Sequence, residues 1–153
     1  MHLDIFMLAR LALCGLGLAG LVVARHIHVH KQEGHTPLVC PIHFNCAAVV
    51  HSDYSKFLGV PVEIFGMVYY VFIALSFGLL LALPGLASSY FLTVIILAAL
   101  TAFLFSLYLS VVQVFALREA CFWCYISSFI SVLIFLIIIL TYNPAGIIAA
   151  LVH

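Results

Sequence analysis

The sequence predicts an all-α integral membrane protein, a four-transmembrane-helix bundle with a short amphipathic lid helix in its first extramembrane loop. Of its 153 residues, 67% are hydrophobic and only 7% are charged, which is too apolar for the surface of a soluble domain. Four apolar stretches are each long enough to cross a hydrocarbon core of roughly 30 Å. Five basic and five acidic residues balance, so the composition does not favour nucleic acid as a partner.

We expect residues 1–153 to form a single membrane domain. The predicted spans cover residues 3–24, 64–83, 90–117 and 121–142. The first span carries small residues typical of close helix contact, namely Gly15, Gly17, Ala19 and Gly20. A cleavable signal peptide is the alternative for this segment, although the segment is long and lacks a basic start. A turn at Pro84-Gly85 separates the second and third spans, and Asn143-Pro144 ends the fourth.

The main polar region is the loop over residues 25–61, which contains six of the eight histidines. Proline residues at 37 and 41 break any helix before Cys46. Asn45 is then a candidate N-cap for a short amphipathic helix over Ala47 to Leu58. We expect this helix to lie along the membrane surface and to cover the bundle.

Four of the five cysteines form two close pairs, and the lone Cys14 is interpreted as a packing residue in the first span. One pair, Cys40 and Cys46, lies in the polar loop. The other pair lies in the motif Cys121-Phe122-Trp123-Cys124, which opens the fourth span. Four spans place both termini on one side of the membrane and both cysteine pairs on the other. This is the geometric condition for thiol–disulfide exchange between the pairs.

The reactivity of the Cys121 motif depends on its charged surroundings. Thiolate is the reactive form of cysteine, and a helix N-terminus and a nearby cation such as Arg118 both stabilise it. Glu119 opposes that effect, so the sequence leaves the size of any pKa change open.

The side of the membrane that carries the cysteines receives two conflicting signals. The basic residues on the cysteine side are Arg25, Lys31, Lys56 and Arg118, and only Arg10 lies near the other side. The positive-inside tendency would therefore place the cysteines in the cytosol. Disulfides, however, persist on the oxidising side of a membrane. We give the chemistry more weight and predict that the cysteine loop is extracytoplasmic.

Several motifs follow one another in a fixed order. Cys40 and Cys46 are separated by five residues, and Ser52 follows six residues later. Next come Tyr54-Ser55-Lys56-Phe57-Leu58-Gly59-Val60-Pro61, then Phe65-Gly66-Met67-Val68-Tyr69-Tyr70, and finally Cys121-Phe122-Trp123-Cys124. Together they resemble the vitamin K epoxide reductase family, and most closely its prokaryotic members. The resemblance covers almost the whole chain.

The resemblance implies a membrane enzyme that passes electrons through two cysteine pairs to a quinone of the ubiquinone, menaquinone or phylloquinone type. Cys121 and Cys124 would be the active-site pair, with Cys124 facing the quinone. Cys121 would exchange with Cys46, and Cys40 with a thioredoxin-fold disulfide oxidoreductase. Many bacterial relatives carry such a domain fused after a fifth span. Only four spans are predicted here, so we expect the partner to be a separate protein. The protein would support disulfide-bond formation from a prokaryotic cell membrane.

The candidate quinone-binding residues are Ser52, Phe65, Tyr69, Trp123 and Ser128. Ser52 lies at the family's loop-serine position, and its hydroxyl could donate a hydrogen bond to a quinone oxygen. Animal members bind vitamin K through an asparagine and a tyrosine. This sequence has Val62 or Glu63 near the first position and Ser128 at the second. These departures favour a simple quinone and leave epoxide reduction as the alternative.

Two functions from other classes also remain open. A structural membrane subunit with incidental disulfides would use the cysteines only for stability. A metal-binding membrane protein would use cysteine and histidine. On an extended segment, His26, His28 and His30 would face one side and could hold zinc or copper. A solvated, pH-sensitive loop is the other interpretation of these histidines, and we assign no metal ligand.

Overall fold

The computed structural model describes residues 2–33, 39–41 and 43–152. Its helices are α1 (His2–Glu33), α2 (Cys46–Val50), α3 (Val62–Ala82), α4 (Ser89–Val111), α5 (Phe122–Thr141) and α6 (Pro144–Val152). Within this described part of the chain, four helices are long and apolar enough to cross a membrane: α1, α3, α5, and α4 with the turn that extends it to Leu117. The predicted all-α membrane bundle is therefore confirmed, and the protein is a multi-pass membrane protein.

Helix α1 is longer than predicted, because it continues through the histidine-containing segment to Glu33. No proline or glycine lies between Arg25 and Glu33, so nothing in this segment interrupts the helical hydrogen bonds. His26 and His30 pack against each other one turn apart, with ring centroids separated by 4.1 Å. The extended arrangement considered for the three histidines is therefore wrong, since helical spacing turns His28 away from the other two.

The lid begins where the sequence predicts but is a shorter helix. Asn45 caps α2, because its side-chain oxygen accepts a hydrogen bond from the backbone N–H of Ala48 at 3.3 Å. The helix ends at Val50 rather than at Leu58, and a 3₁₀ turn over Asp53–Ser55 follows.

A small hairpin replaces the rest of the predicted lid helix. Its strands are β1 (Lys56–Phe57) and β2 (Val60–Pro61), which pair antiparallel. The turn residues Leu58 and Gly59 have φ values of 54° and 81°. Two successive positive φ angles are what a tight two-residue hairpin turn requires, and they end any helix at this point.

Helix α1 is central in the bundle: it packs along α3 and against α5, and α5 packs against α4. Small residues allow α1 and α3 to approach closely. A Cβ added at Gly17 would lie 2.9 Å from the backbone nitrogen of Ala74, and one added at Gly20 would overlap the ring of Tyr70. A Cβ at Gly15 would meet nothing within 4 Å, so the close contact involves only part of the predicted small-residue face.

Arg10 joins three helices at the end of the bundle opposite the cysteines. Its Nη1 donates to the carbonyl oxygen of Leu80 at 2.9 Å, and its Nε donates to the hydroxyl of Tyr142 at 3.2 Å. These bonds satisfy a charged side chain inside a membrane span and connect α1 to the ends of α3 and α5.

Candidate redox site

The loop cysteines form a closed pair. Cys40 and Cys46 are joined by a disulfide bond, with their Cα atoms 6.3 Å apart. Cys46 is buried at the first residue of α2, and Cys40 is half-buried. The predicted helix break at Pro37 lies outside the described residues.

The turn before Cys121 fixes the start of α5. Helix α4 continues as a π-helical turn over Val112–Leu117, and Arg118 then adopts a left-handed φ of 52°. The buried side chain of Gln113 accepts a hydrogen bond at Oε1 from the backbone N–H of Cys121, at 3.1 Å. Its backbone oxygen accepts another from the N–H of Glu119 at 3.2 Å. Sequence reasoning missed Gln113, because a single polar residue in an apolar span belongs to no motif.

The membrane cysteines are free thiols at the N-terminus of α5. Cys121 caps the helix, and its Sγ accepts a hydrogen bond from the backbone N–H of Cys124 at 3.3 Å. A hydrogen bond from the Cys124 side chain is the main cause that lowers the pKa of Cys121. Backbone N–H groups of Cys124 and Trp123 lower this pKa further, while burial of the sulfur opposes them. The arrangement therefore favours Cys121 as a thiolate.

A backbone hydrogen bond connects the loop disulfide to the membrane cysteines. Asn45, the neighbour of Cys46, donates its N–H to the carbonyl of Ala120 at 3.0 Å. Ala120 is in turn the neighbour of Cys121. The loop pair and the α5 pair thus lie at the same end of the bundle, and the chain segments that carry them are in direct contact.

Aromatic side chains strengthen this junction. The rings of Phe44 and Phe122 pack edge-on with centroids 5.8 Å apart. The indole of Trp123 donates to the carbonyl oxygen of Val39 at 3.1 Å and packs against the ring of His26, with centroids 4.4 Å apart. Trp123 therefore contacts the segment leading into the loop disulfide.

A cavity of about 780 Å³ lies beside Cys124 and is lined by α1, α3, α4 and α5 and by the lid, the segment 46–61 that comprises α2, the 3₁₀ turn and the hairpin. This volume falls in the range of roughly 300–1,000 Å³ that is common for small-molecule sites. Four of the five predicted quinone-binding residues line it, namely Ser52, Phe65, Tyr69 and Ser128. Trp123 is not among the described residues that line the cavity, so its location does not support its predicted role in quinone binding. The roles of the other four stay predictions.

Hydroxyl groups in the cavity wall differ in their hydrogen bonding. The Ser52 hydroxyl donates to the carbonyl of Val49 at 2.7 Å, so donation to a ligand would require this bond to break. The hydroxyls of Tyr69 and Ser131 are buried and interact with each other, but neither has a partner within hydrogen-bond distance among the described residues. Leaving a buried hydroxyl unpaired costs about 1–3 kcal/mol, so this part of the wall favours a ligand with an acceptor oxygen.

Sequence reasoning singled out Tyr69 but missed Ser131. The available signal was the spacing, because Ser131 lies seven residues, or two helical turns, after Cys124 and so shares its face of α5. Without this spacing, a serine in an apolar helix would be interpreted as a packing residue.

A buried acid also faces the cavity. Glu63 lines it from the first turn of α3, and its side chain is only 5% exposed. Lys31 Nζ lies 3.1 Å and His28 Nδ1 lies 3.4 Å from its Oε1. Lys31 also donates to the Ser55 hydroxyl at 3.3 Å. This network joins the end of α1 to α3 and to the lid.

Comparison with protein families adds an independent finding to this geometry. The sequence model of the vitamin K epoxide reductase family matches residues 6–139, which include both cysteine pairs. The chain belongs to this family. This match confirms the resemblance carried by the motifs. Members of the vitamin K epoxide reductase family are membrane-embedded oxidoreductases that use quinones and thiol partners. A search of curated proteins finds no match.

In this member of the vitamin K epoxide reductase family, the histidines of α1 make other contacts. His26 packs against Trp123 and His30, while His28 contacts Glu63. The described residues bring no three side chains of histidine, cysteine, aspartate or glutamate together as a metal site. The metal-binding alternative therefore has no support from this part of the chain.

Proposed function

We propose that the protein is a quinone-dependent thiol–disulfide oxidoreductase that oxidises a thioredoxin-fold partner and supports disulfide-bond formation. The observation that carries the proposal is the position of the α5 cysteines. Cys124 lines the cavity, and Cys121 adjoins the backbone bond that holds the loop disulfide. A cysteine pair in this position has an exchange partner on one side and a ligand pocket on the other.

Electrons would pass through the four cysteines by two exchanges and a final reduction. The two thiols of the partner reduce the Cys40–Cys46 disulfide, and the resulting loop thiols reduce a Cys121–Cys124 disulfide. The α5 cysteines then give up two electrons as their disulfide re-forms, and the quinone takes up these electrons with two protons to become the quinol.

The lowered pKa of Cys121 supports this order of exchange. When Cys40 attacks Cys46 in a mixed disulfide between Cys46 and Cys121, the sulfur of Cys121 is the leaving group. A thiol of low pKa leaves faster, so this resolution is favoured.

The cavity supports a quinone as the electron acceptor. Quinones of the ubiquinone, menaquinone and phylloquinone types share ring carbonyl oxygens, which are the acceptors that the unpaired hydroxyls of Tyr69 and Ser131 require. Val62, Glu63 and Ser128 stand where the asparagine and tyrosine of the animal members are expected. A simple quinone therefore fits this site better than an epoxide.

The proposed location of the cysteine loop is the extracytoplasmic face of a prokaryotic cell membrane. Electron flow out of exported proteins requires this side, where disulfides persist. Lys31, one of the basic residues that argue for the opposite orientation, pairs with the buried Glu63. This pairing reduces the weight of Lys31 as a topological signal.

Turnover by the purified protein tests the proposal. With a reduced thioredoxin-fold protein and a soluble quinone analogue, we expect one quinol for each disulfide formed in the partner. Cys124→Ala should abolish quinol formation. Cys14→Ala is the matched control, because Cys14 lies in α1 and its Sγ donates to the Ala74 carbonyl at 3.6 Å, away from the pocket. Intact turnover in the Cys124 variant would refute the proposal.

A further inference from the structure

We infer that Glu63 returns a proton to the quinone during the last step of the proposed reaction, and that His28, which Gln32 orients, connects this carboxyl group to water. The inference rests on the proposed function and assigns a proton-transfer group to it.

The proton balance of the last step creates the need for such a group. Quinol formation takes up two electrons and two protons. An α5 pair in which Cys121 is already a thiolate supplies both electrons but only one proton, that of the Cys124 thiol. The second proton was lost to water when the thiolate formed, and it must return to the pocket that Cys124 lines.

Glu63 has the position that this role requires. Among the described residues that line the cavity, it is the only aspartate, glutamate, histidine, lysine or arginine. Cys124 lines the same cavity, so the carboxyl group and this sulfur border the same bound ligand.

A chain of polar groups leads from Glu63 to the aqueous surface. One ring nitrogen of His28, Nδ1, lies 3.4 Å from Glu63 Oε1. The other, Nε2, lies 3.2 Å from the side-chain nitrogen of the exposed Gln32. An imidazole can accept a proton on one nitrogen and release one from the other near neutral pH. The side chain of His28 is 22% exposed, so water reaches this part of the chain.

A structural ion pair is the competing explanation for the same contacts. Lys31 and Glu63 connect α1 to α3, and such a pair could serve only to hold the helices together. A buried ion pair is, however, often no more stabilising than apolar packing of the same volume. The groups that contact Glu63 are Lys31 and His28 from α1. Ser55 from the lid accepts a hydrogen bond from the same Lys31, and Cys124 from α5 lines the same cavity. Loss of a proton-transfer group would slow only quinol formation. Loss of a purely structural pair would lower thermal stability and slow thiol exchange and quinol formation alike.

Three variants separate the two explanations. Glu63→Gln keeps the shape of the side chain but removes its acid group, and Glu63→Asp keeps the acid. Asp53→Asn removes an exposed carboxylate from the neighbouring lid turn and is the matched control. Three quantities are measured for each: the rate of quinol formation in H₂O and D₂O across pH, the rate of thiol exchange from partner to α5 without quinone, and the thermal stability.

We expect Glu63→Gln to slow quinol formation by about a hundredfold, as for the loss of a general acid, and to change its pH profile. Exchange without quinone should be unchanged in this variant. Glu63→Asp should restore much of the rate, and Asp53→Asn should behave like the native protein. Equal quinol formation by Glu63→Gln and the native protein would overturn the inference while leaving the proposed function intact. A Glu63→Gln protein that loses thermal stability and slows both steps alike would show that the pair is structural. If the native protein reduces no quinone, both proposals fall.

Discussion

One methyl group tests the close packing of α1 against α3. In Gly20→Ala, the new Cβ would overlap the ring of Tyr70, which is only 2% exposed. The ring has little freedom to move away, because the Tyr70 hydroxyl donates to the carbonyl of Ser127 at 2.7 Å. The helices must separate, or this hydrogen bond must break.

The magnitude follows from three contributions. Overpacking a close-packed site costs about 1–3 kcal/mol. Loss of the Tyr70 hydrogen bond adds about 0.5–1.5 kcal/mol. Replacing glycine by alanine in a helix returns at most about 1 kcal/mol. We therefore expect Gly20→Ala to lower the free energy of unfolding by about 0.5–4.5 kcal/mol.

Gly15→Ala is the matched control, since a Cβ at Gly15 meets nothing within 4 Å on the same helix. It should be neutral or slightly stabilising. Reversible denaturation of both variants in one detergent measures the difference, and the KM for quinone provides a second measurement. Because Tyr70 also lines the cavity, only Gly20→Ala should raise this KM. Equal stabilities of the two variants would refute the packing argument.

Three further predictions concern the redox site. Because its pKa is lowered, Cys121 should remain a thiolate at lower pH than an unperturbed cysteine. The rate of its reaction with a small disulfide should therefore reach half its maximum at a lower pH than for an unperturbed cysteine. A midpoint at higher pH would contradict the lowered pKa. Cys46→Ala should leave Cys40 free to trap the partner as a mixed disulfide on a non-reducing gel, whereas trapping on Cys121 would reverse the proposed order. Replacing Tyr69 by Phe and Ser131 by Ala should raise the KM for quinone about fivefold per lost hydrogen bond of about 1 kcal/mol. The same two changes should stabilise the quinone-free protein, and an unchanged KM would show that these hydroxyls do not bind the quinone.

The bundle and the shared location of the cysteine pairs are predictable from the sequence for simple physical reasons. Apolar length alone identifies membrane spans. Two spans separate the Cys40 loop from the Cys121 turn, so both lie on the same side of the membrane. The direct contact through Asn45 and Ala120 confirms that both segments lie at one end of the bundle.

The parts that the sequence did not predict depend on contacts between distant residues. The bond from Cys121 to Gln113 requires a π-helical turn and a left-handed Arg118, for which an apolar stretch gives no signal. The contact of Lys31 with Glu63 joins residues of two helices across the loop. The length of α1 was underestimated because the loss of hydrophobicity after residue 24 ends a membrane span but does not end a helix.

The length of α1 links the bilayer to the site. Its 32 residues extend about 48 Å at 1.5 Å per residue, against roughly 30 Å of hydrocarbon. The lipid-facing part and the part that carries His28 and Lys31 are thus a single rod. A helix responds to a thinner or thicker bilayer mainly by changing its tilt. A change in the acyl-chain length of the lipids would then change the distance between these two side chains and the Glu63 carboxylate at the start of α3.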